Sequence, residues 1–200
     1  MAGTEGADFM ITVLMATIVL IQATPACPQA DSDMMALSLH DFDQTDAGWR
    51  SLDREGCEAG VADVIARFRA EHAEAMADGS GDALIWHEGQ LRAAAGQTEA
   101  AITLLLHGRD AESDATQPYV DATVAFLRRD RPALLAARER LMALPVPPRF
   151  QSAVDRFKAT YPDLPAPTWP LNLDKVDGFI ACFDRPYSEA YVCDAEGNTQ

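Results

Sequence analysis

From Val61 onward the chain keeps to one pattern, in which apolar side chains return every three or four positions and each run stops at Gly, Asp or Pro. A period near 3.6 gathers such residues along one side of an α-helix, whereas a strand needs alternation, and no stretch alternates. The first stripe is Val61, Val64, Ile65, Phe68 and His72, and it ends near Asp78-Gly79-Ser80-Gly81. Leu84, His87, Leu91 and Ala94 form the second, stopped at Gly96; Ala101, Leu104, Leu105 and Gly108 form the third, before a polar loop from Arg109 to Pro118. Tyr119, Thr123 and Phe126, beside Val120, Val124 and Leu127, mark a helix that breaks at Arg129-Asp130 and resumes after Pro132 with Leu134, Ala137, Leu141 and Leu144. Beyond a Pro-interrupted link come Phe150, Val154, Phe157 and Tyr161, and then Pro162, Pro165, Pro167 and Pro170, which enforce an extended crossing with Trp169 as its anchor. A last pair is expected from Leu173, Val176, Ile180 and Phe183 and from Pro186 to about Cys193. The fold class that follows is all-α, built of antiparallel helix pairs.

Ahead of this region, Phe9 to Ile21 is an uncharged apolar run followed by Gln22, Ala23, Thr24, Pro25 and Ala26. It has the length of a signal-peptide hydrophobic region and is short for a membrane span. Cleavage is expected at Ala26/Cys27, with Ala30/Asp31 as the alternative. The region before it lacks Lys and Arg and carries Glu5 and Asp8, an objection that softens if translation starts at Met10. An uncleaved anchor or a buried N-terminal helix are the competing readings, and a lipoprotein signal ending at Cys27 is disfavoured by Thr24 and Pro25. The expected organisation is a signal peptide over 1–26, a partly irregular segment over 27–48 and a helical domain over 49–200, in a periplasmic or secreted protein with no stable membrane span after cleavage.

Export makes disulfides the expected state of Cys27, Cys57, Cys182 and Cys193. Cys182 and Cys193 flank Asp184-Arg185-Pro186 and are the candidate bridge; Cys27 with Cys57 follows only by exclusion. The net charge of −15 opposes a phosphate backbone, so nucleic acid is an unsuitable partner, and an acidic surface biases binding toward basic or neutral ligands.

The turns at Gly96 and Asp130 lie 34 residues apart, and Gly96-Gln97-Thr98-Glu99-Ala100-Ala101 carries the small residues that let two helices cross closely, with Gly89 on the preceding helix. This interval and these residues resemble tetratricopeptide-like proteins over about residues 82–144, with weaker echoes at 49–76 and 172–193. Asp184-Arg185-Pro186-Tyr187-Ser188-Glu189-Ala190 is similar to a third copy, whereas Leu135 replaces the small residue in the second pair, which is expected to pack less closely. The resemblance implies a short solenoid whose inner helices present a concave surface for an extended peptide or partner helix. On that surface the candidate binding residues are Trp86, His87, Gln90 and Tyr119; an irregular bundle is the competing architecture.

Motifs of specific chemistry are missing. His40, His72, His87 and His107 include no pair four apart, no Gly-x-Ser-x-Gly elbow or phosphate loop occurs, and no cofactor or metal site is expected. Asp41, Asp43 and Asp46 suggest a calcium loop, but Asp46 stands where the obligatory Gly belongs and Leu52 where the bidentate Glu belongs, so helix capping ahead of Trp49 is the expected role. The functional expectation is a protein- or peptide-binding scaffold. The alternatives are an envelope hydrolase that pairs His87 with a carboxylate brought near by folding, and a self-contained helical bundle; a His beside a buried carboxylate in a cleft separates the first from the others.

Overall fold

A computed structural model describes residues 26–107 and 117–199. The proposed leader before Ala26, the inward Gly108 and most of the polar loop after it lie outside the described residues. Among those described, regular structure is helical throughout, with a single bridge pairing Cys193 with Thr199.

Ten α-helices follow in order: α1 (Ser32–Met35), α2 (Leu39–Gln44), α3 (Glu58–Glu71), α4 (Asp82–Ala94), α5 (Thr98–His107), α6 (Gln117–Leu127), α7 (Arg131–Met142), α8 (Phe150–Thr160), α9 (Leu173–Ala181) and α10 (Tyr187–Ala190). Two 3₁₀ turns, Trp49–Leu52 and Ala73–Met76, bracket α3. The periodic stripes therefore mark helices, with two adjustments. The first stripe becomes α3 followed by a 3₁₀ turn, and the last shrinks to the single turn of α10.

Both central hairpins reverse by the same device. Gly96 and Arg129 adopt left-handed backbone (φ 73° and 57°), and the next amide reaches back to the helix just ended, Gln97 N to Arg92 O at 2.8 Å and Asp130 N to Ala125 O at 2.9 Å. This closure satisfies carbonyls that a helix end leaves open. The equivalent residues are thus Gly96 and Arg129, 33 positions apart, and not Gly96 and Asp130. Asp130 instead caps α7, its carboxylate accepting from Ala133 N. Under this offset Gly89 matches Ala122 and Ala101 matches Leu134, all buried, while Leu135 is 43% exposed. The second pair keeps a small residue at Ala122, but the residue that matches Ala101 is the buried Leu134, while Leu135 lies on the solvent side.

The core has two main clusters that share α4. Met35, Phe42, Trp49, Leu52, Ile65 and Phe68 collect with Leu84 and Leu91 of α4 on one side. Phe126, Leu134, Leu141, Val176, Phe179 and Tyr187 collect with Ala93 on the other. Phe42 stacks on Phe68 with ring centroids 3.7 Å apart, so the segment before Trp49 belongs to the first cluster. Between α3 and α4 the buried Glu88 receives Arg69 and Arg92, which offsets the desolvation of its carboxylate.

Two disulfides pin the ends: Cys27 to Cys57 at the start of α3, and Cys182 to Cys193 across α10. The second closes a short loop and on loop-entropy grounds contributes about 3 kcal/mol. The extended crossing is anchored as expected, with Trp169 Nε1 donating to Leu144 O at 3.0 Å and its ring beside Phe150.

Gly178 of α9 marks where the chain end is drawn in. A Cβ there would overlap the carbonyl oxygen of Cys193 and crowd that of Ala190 at 3.1 Å. Gly178→Ala should therefore cost at least about 2 kcal/mol, although helix propensity alone favours Ala by about 1 kcal/mol. Gly96→Ala, strained by its positive φ, should cost about 1 kcal/mol; urea unfolding of both variants checks the order.

Candidate functional site

On α4, residues at spacings of three and four share a face, and His87, Gln90, Leu91 and Ala94 form such a set. That face looks across a gap to Tyr187, Ser188, Tyr191 and Val192 around α10, and Trp49, Asp53 and Glu58 close one side. The result is a cleft of about 370 Å³.

His87 is held there from behind. Its Nδ1 lies 2.9 Å from Asp43 Oδ1, and since an ionised carboxylate can only accept, Nδ1 carries the proton. Trp49 Nε1 donates to the same oxygen at 3.0 Å, Gln44 Nε2 donates to Oδ2, and Arg50 donates to both the carboxylate and the backbone carbonyl of Asp43. Asp43 is only 4% exposed. Burial is the largest single influence on its carboxyl and pushes its pKa up, yet the hydrogen bonds from His87 and Trp49 and the charge of His87 together outweigh it and bring the pKa down to about 2. His87 Nε2, the opposite ring nitrogen, has no hydrogen-bond partner among the described residues.

The expected capping role ahead of Trp49 is not met by any of the three aspartates: the 3₁₀ turn Trp49–Leu52 begins at Gly48 without a side-chain cap, and the cap of α2 is Ser38, whose hydroxyl accepts from Asp41 N. Asp41 exchanges hydrogen bonds with Ser38 at the start of α2. Asp43 instead becomes the buried hub joining α2, the 3₁₀ turn and α4, because its place on the inward side of α2 beside Phe42 points it at donors 6 and 44 residues away. No group of three or more His, Cys, Asp or Glu side chains able to hold a metal ion occurs among the described residues.

Behind the α10 wall lies a tyrosine cluster. Gln90 Nε2 donates to Tyr191 Oη at 3.2 Å. Tyr187 is 6% exposed and its hydroxyl, though close enough to Gln90 to feel its amide, makes no hydrogen bond of good geometry. Burial pushes the pKa of both Tyr119 and Tyr187 well up, so both hydroxyls stay neutral.

The four residues proposed for a groove separate. His87 and Gln90 line the cleft. Trp86 and Tyr119 do not; their rings meet at 5.5 Å in the seam between α4 and α6, where Trp86 packs against core residues. Sequence reasoning singled out Asp43 only as a helix cap, and it missed Asp53, Glu58 and the α10 residues as parts of a site. The pair Tyr187 and Tyr191, four apart behind Pro186, was a signal that could have pointed to the α10 wall. Nothing local marked Asp53 or Glu58. Compared with protein-family models, curated proteins and solved structures, the chain matches none.

Since the pKa of Asp43 is depressed by folding from 3.8 to about 2, the stability it confers is complete above about pH 5 and is lost as pH falls toward 2. The difference in melting temperature between wild type and Asp43→Asn should therefore shrink progressively from pH 5 to pH 2. Tyr187→Phe removes a buried, unpaired hydroxyl and should stabilise the protein by about 1 kcal/mol in urea unfolding, whereas most buried Tyr→Phe changes destabilise.

Proposed function

We propose that this protein is an exported, short helical-repeat scaffold that binds a protein or peptide partner through the cleft between α4 and α10. The observation that carries the reading is the cleft itself: an open cavity with aromatic and aliphatic walls and a few convergent polar groups, which is the composition of a recognition site. Its size suits one or two side chains of an extended segment.

Export is supported by the two disulfides, which an oxidising compartment sustains, and by the apolar run at Phe9 to Ile21 ahead of them. None of the described helices is long and apolar enough to cross a membrane. A tetratricopeptide-like solenoid is supported by the matching turns at Gly96 and Arg129 and by the small or buried residues in register behind them. In this reading α10, folded back onto α4, narrows the concave face to the cleft.

A second reading, a hydrolase, is favoured by one observation: His87 faces the cleft with a buried carboxylate behind it, the arrangement that orients a general base. It ranks second because Asp43 also holds Trp49 and Arg50, as a packing hub does, and because no hydroxyl donates to His87 among the described residues while all four thiols are in disulfides.

Selection of a displayed random-peptide library on the full chain tests both. Expected are peptides whose affinity drops at least tenfold in Ala94→Trp, which fills the cleft without touching the Asp43 hub. Failure to select any peptide, or binding indifferent to Ala94→Trp, would overturn the scaffold reading. Peptides recovered cut by wild type and intact with His87→Ala would establish the hydrolase instead.

A further inference from the structure

The acidic and basic side chains lining the cleft are Asp53, Glu58 and His87; no Lys or Arg lines it. Arg50, the guanidinium close by, is committed to Asp43 and lies over the Trp49 ring, 4.3 Å from its centroid. His87 is likewise turned to Asp43 through Nδ1. Asp53 and Glu58 are therefore left without an ion pair among the described residues; Glu58 Oε1 accepts from Gly56 N at 3.1 Å in the first turn of α3, and the Arg50 charge acts on Asp53 from its place beside Asp43.

A second observation is independent of this pair. Tyr187, another of the lining residues, keeps a buried hydroxyl without a partner, an expensive arrangement in a wall that also contains Gln90. Tyr187 and two carboxylates without an ion pair thus line one cavity, and apart from His87, Gln90 and Ser188 the remainder of its wall is aromatic or aliphatic.

Resting on the binding reading above, we propose that the cleft takes one cationic side chain of the partner, a lysine or arginine. Its charged head meets Asp53 and Glu58, and its methylene stem lies along Trp49, Leu91 and Tyr191. The chemistry selects this ligand in three ways. An anionic side chain would be repelled by both carboxylates. A purely apolar one would bury them without a partner, at a desolvation cost. A long basic side chain matches both parts, because its stem is apolar and its head carries several donors. Burial and then the neighbouring Glu58 raise the pKa of Asp53 and together outweigh Arg50, so a cation placed beside it would favour its ionised form.

The test uses the full ¹⁵N-labelled chain and acetylated, amidated pentapeptides Gly-Ser-X-Ser-Gly with X as Lys, Arg, norleucine or Glu. The Lys and Arg peptides should shift the amide resonances of His87, Gln90, Ala94 and Tyr191 and bind at least tenfold more tightly than the norleucine peptide. The double variant Asp53→Asn/Glu58→Gln, at the exposed side of the cleft, should retain its melting temperature and lose that preference. Equal binding of the norleucine and Lys peptides at these resonances would overturn the cationic ligand and leave cleft binding standing. Shifts scattered over the acidic surface, or a preference that survives neutralising both carboxylates, would overturn it as diffuse attraction to the chain's charge. No shift with any peptide would overturn both readings.

Discussion

Everything else in the molecule is arranged around a single thirteen-residue helix, α4, that must be buried on most of its circumference. Leu84 and Leu91 enter the first core cluster, Ala93 enters the second, and Gly89 lies against Leu104 and Leu105 of α5, where an added Cβ would come within 3.0 Å. Trp86 fills the seam toward α6. A helix in this position has almost no solvent side for polar residues, so each polar group it carries has to be matched by a neighbour.

That requirement explains the two polar assemblies of the interior. Glu88, on the α3 side, is answered by Arg69 and Arg92; His87, one residue earlier on the helix, is answered by Asp43. Asp43 in turn needs donors for its remaining lone pairs, and Trp49, Arg50 and Gln44 supply them. The chain before α3 is thereby bound to α4 through hydrogen bonds as well as through the Phe42 and Phe68 stack, and the Cys27–Cys57 bridge limits how far its start can wander. A hub of this kind doubles as a fixture: with Nδ1 occupied, the His87 ring has one orientation, and Nε2 is the nitrogen left for anything that enters the cleft.

The cleft exists because the last face of α4 is covered incompletely. The element that meets it, α10, is a single turn of four residues, held by the Cys182–Cys193 bridge and by the close approach to Gly178. A turn that short brings Tyr187 and Tyr191 to α4 but cannot seal its whole length. The open cleft and the incomplete cover of α4 are two aspects of the same geometry, and the Tyr187 hydroxyl beside it is buried without a partner among the described residues.

The helices from α3 to α9 were readable from the chain alone, though α1 and α2 and the extent of α10 were not, since the period of apolar residues and the stopping power of Gly, Asp and Pro act over a few positions. His87 and Gln90 were legible for the same reason: they share a face with Leu91 and Ala94. What the residues could not disclose were relations between distant parts. Asp43 meets His87 across 44 positions and Gln90 meets Tyr191 across 101, and no local pattern encodes either. The left-handed residue of the second turn is Arg129 and not its neighbour Asp130, a matter settled by which register lets Ala122 and Leu134 be buried. Trp86 and Tyr119 went to a core seam because a neighbouring helix covered the face on which they lie. Local periodicity decides which segments become helices; only the packing of those helices decides which of their faces, and so which chemistry, is left open.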